Sequence, residues 1–184
     1  MQDKSEFNRY SSRLSQILAS IQSNAVELIL KLIQETITAE GTIYIIGNGG
    51  SASTASHFSN DLNVGLRKKH KYPKSIALTD NISILTAIAN DISYAEVFRF
   101  QLEGILQEND LVIALSVSGE SENVINAVKY ANELKTKTVS IVGFTGGRLL
   151  KVSFAACHVP TNLGEYGPAE DCMLAICHYL ASRV

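Results

Sequence analysis

The sequence predicts an α/β fold, a three-layer αβα sandwich on a five-stranded parallel sheet with two helices in front of it. Apolar runs rich in β-formers recur five times, at 42–46, 75–79, 111–116, 138–142 and 155–159. Helical patterns with short connections separate them, the alternation expected of an α/β domain. The runs are apolar nearly throughout, as strands covered on both faces are.

Before the first strand, Phe7, Tyr10, Leu14, Leu18 and Ile21 recur at the spacing of an amphipathic helix. Val26, Ile29, Leu32, Ile33 and Ile37 resume the stripe, and Ser23 or Asn24 can cap a new start between them. Residues 1–39 therefore read as a two-helix extension of a single domain spanning 1–184. Their apolar faces are expected to cover a sheet face or a partner chain. Further helices are expected over 51–64, 81–90, 94–107, 120–134, 147–152 and 167–182. No linker or repeat interrupts the pattern.

At 184 residues with 46% hydrophobic content, the chain can bury a sizeable core. A net charge of −2 argues against nucleic-acid binding through a phosphate-tracking patch. The one basic cluster, Arg67, Lys68, Lys69, His70, Lys71 and Lys74, reads as a solvated loop. No run approaches the roughly 20 apolar residues of a membrane span. The polar start MQDKSEFNRY lacks the apolar core of a secretory signal, so a cytoplasmic protein is expected. Cys157, Cys172 and Cys177 lack the spacing of a disulfide or zinc framework and read as reduced, buried thiols.

The chemistry concentrates at strand ends. IYIIGNGGSASTASH runs from a strand through Gly47, Asn48, Gly49, Gly50 and Ser51 into a helix. Such a turn lets backbone N–H groups approach an anion at a helix N-terminus. LVIALSVSGES repeats the logic with Ser116, Ser118 and Ser121. Two polar strand ends suggest one site at the carboxyl edge of the sheet. His57 and Asp61 lie one helical turn apart on the first of these helices. Glu170 and His178 lie eight apart on the last. Either pair alone reads as a surface pair; together they suit zinc or acid–base work. Asn90 and Asp91 end a helix pattern and read either as a cap or as reaching into a site. His70 and His158 read as structural or solvated, and Tyr44 and Tyr72 as packing residues. Neither a nucleophile elbow nor a nucleotide-binding glycine motif is present.

Taken together, GNGGSASTASHF, LTDNISILTAIAND, ALSVSGESENVINAV, GFTGGRL and EYGPAEDCMLAICHYL resemble the sugar isomerase (SIS) domain family. Within it the chain is similar to the phosphoheptose isomerases, from about Thr42 to the C-terminus. The resemblance implies the SIS fold and conversion of sedoheptulose 7-phosphate to D-glycero-D-manno-heptose 7-phosphate for lipopolysaccharide or surface polysaccharide synthesis. Ser116, Ser118 and Ser121 would hold the phosphate. Asn48, Gly49, Ser51, Asp91 and Glu170 would contact the sugar. One zinc per subunit would sit on His57, Asp61, Glu170 and His178, with Asp61 as base and His178 as acid. The resemblance also implies a homotetramer.

The chain departs from the family pattern in places. Asp61 stands where a glutamate is common, Met173 where a histidine is frequent, and Gly65 where an arginine is, with Arg67 nearby. Val117 replaces a hydroxyl residue in the serine loop. The alternative is a non-catalytic SIS protein, a protein-interaction tetramer or phosphosugar sensor. Such a protein has no need of His57, Asp61, Glu170 and His178 together.

Overall fold

In a computed structural model, which describes residues 5–65 and 72–184, five parallel strands form one sheet in the order β2-β1-β3-β4-β5. The strands are β1 (Thr42–Gly47), β2 (Lys74–Ala77), β3 (Leu111–Ser116), β4 (Lys137–Val142) and β5 (Ala155–His158). Two helices, α1 (Glu6–Ser20) and α2 (Ser23–Thr38), precede them. Then follow α3 (Gly50–Asn60), α4 (Ile82–Asp91), α5 (Arg99–Leu102), α6 (Glu122–Glu133), α7 (Leu149–Val152) and α8 (Tyr166–Arg183). The expected αβα sandwich is thus what the chain forms.

Side chains alternate across the sheet, and the two resulting cores are distinct. Ile43, Ile45, Leu111, Ile113, Val139 and Ile141 pack toward α2, α3 and α8, where Ile29, Ile33, Phe58, Cys177 and Leu180 meet them. Tyr44, Ile46, Val112, Ala114 and Val142 pack toward the other layer with Ile88, Phe98, Leu102, Val128 and Leu149. Period-two alternation with both faces covered explains why the strands read as unbroken apolar runs. All three cysteines are free and buried. Burial pushes the Cys157 thiol up to about 11.

Two expectations need correction. The helix expected over 94–107 is broken: a 3₁₀ turn covers Tyr94–Glu96, α5 spans four residues, and Gly104 at φ +78° ends the run. A left-handed residue cannot continue a right-handed helix. Tyr72 is 71% exposed and packs on no core. Tyr44 is buried as expected. The basic residues 67–71 lie outside the described residues. Among the described residues no helix is long and apolar enough to cross a membrane.

Candidate active site

The strand order reverses between β1 and β3, which pair in parallel with Gly47 beside Leu115. In open α/β sheets this switch point, at the carboxyl ends of the strands, is where a crevice forms. A pocket of about 340 Å³ lies there, lined by residues 48–51 of the glycine turn, 115–118 and Ser121 of the serine loop, and Tyr166 and Glu170 of α8. Neither N-cap residue, Gly49 of α3 or Ser121 of α6, makes a side-chain cap bond. The Ala52 and Val124 N–H groups are bonded, but the N–H groups of Gly50, Ser51, Glu122 and Asn123 are left for another acceptor. Among the described residues no Lys or Arg lines the pocket, and Glu170 is the carboxylate that does. An anion placed here would meet hydroxyls, N–H groups and two helix N-termini.

The turns leave no room to spare. A Cβ on Gly50 would lie 2.3 Å from Glu170 Oε1, so glycine lets the α8 carboxylate lie over the start of α3. Gly119 has φ +67°, and a Cβ there would lie 2.0 Å from the Gly146 carbonyl. The serine loop thus rests on the 143–148 turn. Ser116 Oγ accepts the Gly119 N–H at 3.1 Å, and Ser118 Oγ accepts the Glu120 N–H at 3.2 Å. Each hydroxyl keeps its own hydrogen to donate. Arg148 braces the outside, bonding Glu120 Oε2 at 2.6 Å and Glu122 Oε2 at 2.8 Å. The Arg148 guanidinium holds the Glu120 carboxyl below its ordinary value, and it offsets two negative charges beside the pocket. Phe144, in the same turn, has φ +48°, unusual for a bulky residue. Its N–H donates to Thr161 Oγ1, its carbonyl meets His158 Nε2 at 2.7 Å, and its ring stacks edge-on against Tyr166. His158 is therefore structural.

A second group lies farther along α3 and α8. His57 Nε2 is 3.5 Å from Asp61 Oδ2, His178 Nε2 is 3.8 Å from the same oxygen, and the two Nε2 atoms are 3.1 Å apart. These ligand-type atoms all fall within 4.8 Å of one another. Asp61 opens a single π-helical turn, Asp61–Gly65, that follows α3 directly. Irregular turns of this kind often mark functional sites. The imidazole side chains are about half exposed, 48% and 49%, and the carboxylate 25%. Two imidazoles and a carboxylate with open access can bind a divalent ion or move protons.

The structure thus joins His57, Asp61 and His178, and separately joins Asn48, Gly49, Ser51, Ser116, Ser118, Ser121 and Glu170. Glu170 is not in the three-residue group; it faces Gly50 and the pocket. Asp91 ends α4, exposed, and accepts from the Asn90 amide at 2.8 Å; it does not line the pocket. Sequence reading missed Tyr166, which lines the pocket, and Asn123 and Arg148, which hold its loops. Arg148 follows the GFTGG turn, and that turn was the available signal.

Residues 6–143 match the SIS domain family. A phosphoheptose isomerase from Helicobacter pylori is 40% identical over 159 residues, 86% of this chain and 82% of the relative. The solved phosphoheptose isomerase from Neisseria gonorrhoeae superposes with a TM-score of 0.84 at 27% identity, over 94% of this chain and 91% of that one. A phosphoheptose isomerase structure from Francisella tularensis shares the fold with a TM-score of 0.88, at 24% identity over 100% of this chain and 98% of that one.

Proposed function

The chain belongs to the SIS domain family, among its phosphoheptose isomerases, and from that premise we propose that it interconverts sedoheptulose 7-phosphate and D-glycero-D-manno-heptose 7-phosphate through an enediol. The supporting observation is the spacing of the two groups. Gly50 and His57 share α3, and Glu170 and His178 share α8. About 10–12 Å of helix rise separates the pocket residue from the imidazole in each case. An extended seven-carbon chain ending in a phosphate ester spans on the order of 10 Å. A phosphate in the serine loop therefore leaves the first two carbons near Asp61 and His178.

The reaction moves one proton from C1 of the ketose to C2 of the aldose, and one from the C1 hydroxyl to the C2 oxygen. Asp61 takes the carbon-bound proton and returns it to the adjacent carbon. His178 moves the proton between the oxygens. Asn48, Gly49, Ser51 and Glu170 hold the sugar, and Ser116, Ser118 and Ser121 the phosphate.

The donor set also fits zinc, one per subunit, on His57, Asp61 and His178; Glu170, the fourth ligand that the resemblance implies, faces the pocket instead. Ligand atoms on a tetrahedral zinc lie roughly 3.3–3.6 Å apart, and the contacts of 3.1, 3.5 and 3.8 Å bracket that range. When bound, such an ion polarises the sugar's carbonyl and hydroxyl oxygens.

The rest of the reading is a cytoplasmic homotetramer serving lipopolysaccharide or surface polysaccharide synthesis, each chain a single unit over 1–184. Arg13 on α1 forms a two-pronged pair with Glu165, at 2.9 and 2.7 Å, which supports residues 1–39 as part of that unit. An apolar groove of about 360 Å³ between α1, α2 and α8, lined by Leu18, Ile21, Val26, Ile176 and Tyr179, supports assembly. The test is a panel of ketose phosphates assayed after chelation, with and without added zinc. Sedoheptulose 7-phosphate should be the best substrate, and zinc should restore its turnover. Conversion of no ketose phosphate under either condition would leave the non-catalytic alternative.

A further inference from the structure

We infer that Asn123 is a positioning residue that locks the glycine turn to the serine loop and so sets the width of the anion pocket between them. The inference rests on that pocket being the phosphate site. Asn123 is not one of the pocket's lining residues, and it is 2% exposed in the first turn of α6. Its carboxamide pairs reciprocally with that of Asn48. Asn48 Nδ2 donates to Asn123 Oδ1 at 2.9 Å, and Asn123 Nδ2 donates to Asn48 Oδ1 at 2.9 Å. The Val124 N–H also donates to Asn123 Oδ1, at 3.0 Å, and this fixes which end of the carboxamide is oxygen. The Tyr94 hydroxyl adds a bond to Asn48 Oδ1 at 2.9 Å.

The pair spans the switch point. Asn48 follows β1, whereas Asn123 follows the loop that leaves β3, and these strands are neighbours. Each carboxamide uses both its donor and its acceptor function in the pair. Asn48 Nδ2 keeps one hydrogen for a bound group. An amide pair of this kind, with Asn123 buried and Asn48 half-buried, is rigid when complete. It is costly when one member is removed, because the partner is left unsatisfied. Anion binding by N–H groups and hydroxyls depends on their spacing, and a displacement of about 1 Å is enough to impair it. Asn123 therefore acts on the substrate through Asn48 and the start of α6.

Inorganic phosphate is the probe, titrated calorimetrically into the parent chain, Asn123→Ala, Asn48→Ala and the double variant, with a thermal melt on each sample. Asn123→Ala should weaken phosphate binding about tenfold. The double variant should be no weaker than the weaker single variant, because both remove one brace. In turnover of sedoheptulose 7-phosphate, KM should rise about tenfold while zinc content stays at the parent level. A general loss of folding would not give that combination. Phosphate binding by Asn123→Ala within about twofold of the parent, or losses that multiply in the double variant, would overturn the inference. If Asn123→Ala does not fold, Asn123→Ser takes its place with the same expected loss. Failure of both to fold would make Asn123 a folding residue and also overturn it. A parent that binds phosphate but converts no ketose phosphate removes the isomerase reading and leaves this one to stand or fall on the phosphate data. A parent that binds no phosphate defeats it.

Discussion

The pocket at the ends of β1 and β3 is made of backbone turns and short hydroxyls, whereas the His57, Asp61 and His178 group is made of side chains projecting from two helices. The first is fixed by sheet topology, by two helix N-termini without side-chain caps and by a half-buried amide pair. The second exists because α3 and α8 pack together, and its imidazoles remain half exposed. A backbone-built site binds a shape and a charge. A side-chain-built site supplies groups that change protonation. On the proposed reading binding and chemistry are separable, and substitutions at one end should leave the other nearly intact.

The largest effect that separates them is at Asp61. Asp61→Asn keeps the size of the side chain and removes the proposed base. Turnover should fall by about a hundredfold to ten-thousandfold, with phosphate affinity nearly unchanged by calorimetry. His178→Gln should behave in the same way. Asp61→Glu adds one methylene and should retain or raise activity. An Asp61→Asn variant that turns over like the parent would mean that this end of the site is not where the proton moves.

The converse comes from the serine loop. Ser118→Ala removes the hydroxyl proposed to bond the phosphate, a hydrogen bond to a charged group worth about 1.5–3 kcal/mol. KM and the phosphate dissociation constant should rise roughly tenfold to a hundredfold, with zinc content unchanged. A loss confined to kcat would merge the two sites into one.

A smaller effect concerns the clasp that holds α8, which contributes to both sites. Arg13 hydrogen-bonds Glu165 and holds its carboxyl at about 2, below the ordinary 4.5. A depressed carboxyl contributes stability that is fully present above pH 4.5 and is lost as pH falls toward 2. At the other limit, the Tyr10 hydroxyl donates to Asp171 at 2.5 Å and is pushed up to about 12 from 10. That contribution is present below pH 10 and is lost as pH rises toward 12. Thermal melts of the parent and Glu165→Gln should differ by a constant amount above about pH 5 and converge below it. A difference that persists to pH 2 would remove the clasp from the account.

Legibility in the sequence follows the same division. The five strands were readable because strands covered on both faces leave continuous apolar runs. The glycine turn and the serine loop were readable because each is a contiguous strand–turn–helix segment. His57 and Asp61 were readable as one helical turn. What brings His178 against them is packing of helices far apart in sequence, and spacing alone could not supply it. The break at Gly104 was missed because FRFQLEGIL keeps an apolar pattern past the residue that ends the helix. Asn123 was missed because its partner, Asn48, lies 75 positions away, and a lone asparagine in a first helical turn looks like any helix start.

The central claim is that this chain moves a proton between the first two carbons of a heptose phosphate. The direct measurement is proton NMR of sedoheptulose 7-phosphate incubated with the zinc-loaded protein in deuterium oxide. The account predicts accumulation of D-glycero-D-manno-heptose 7-phosphate carrying solvent deuterium at C2, with Asp61→Asn giving none. Substrate that stays unconverted and unlabelled while it occupies the phosphate pocket would contradict it.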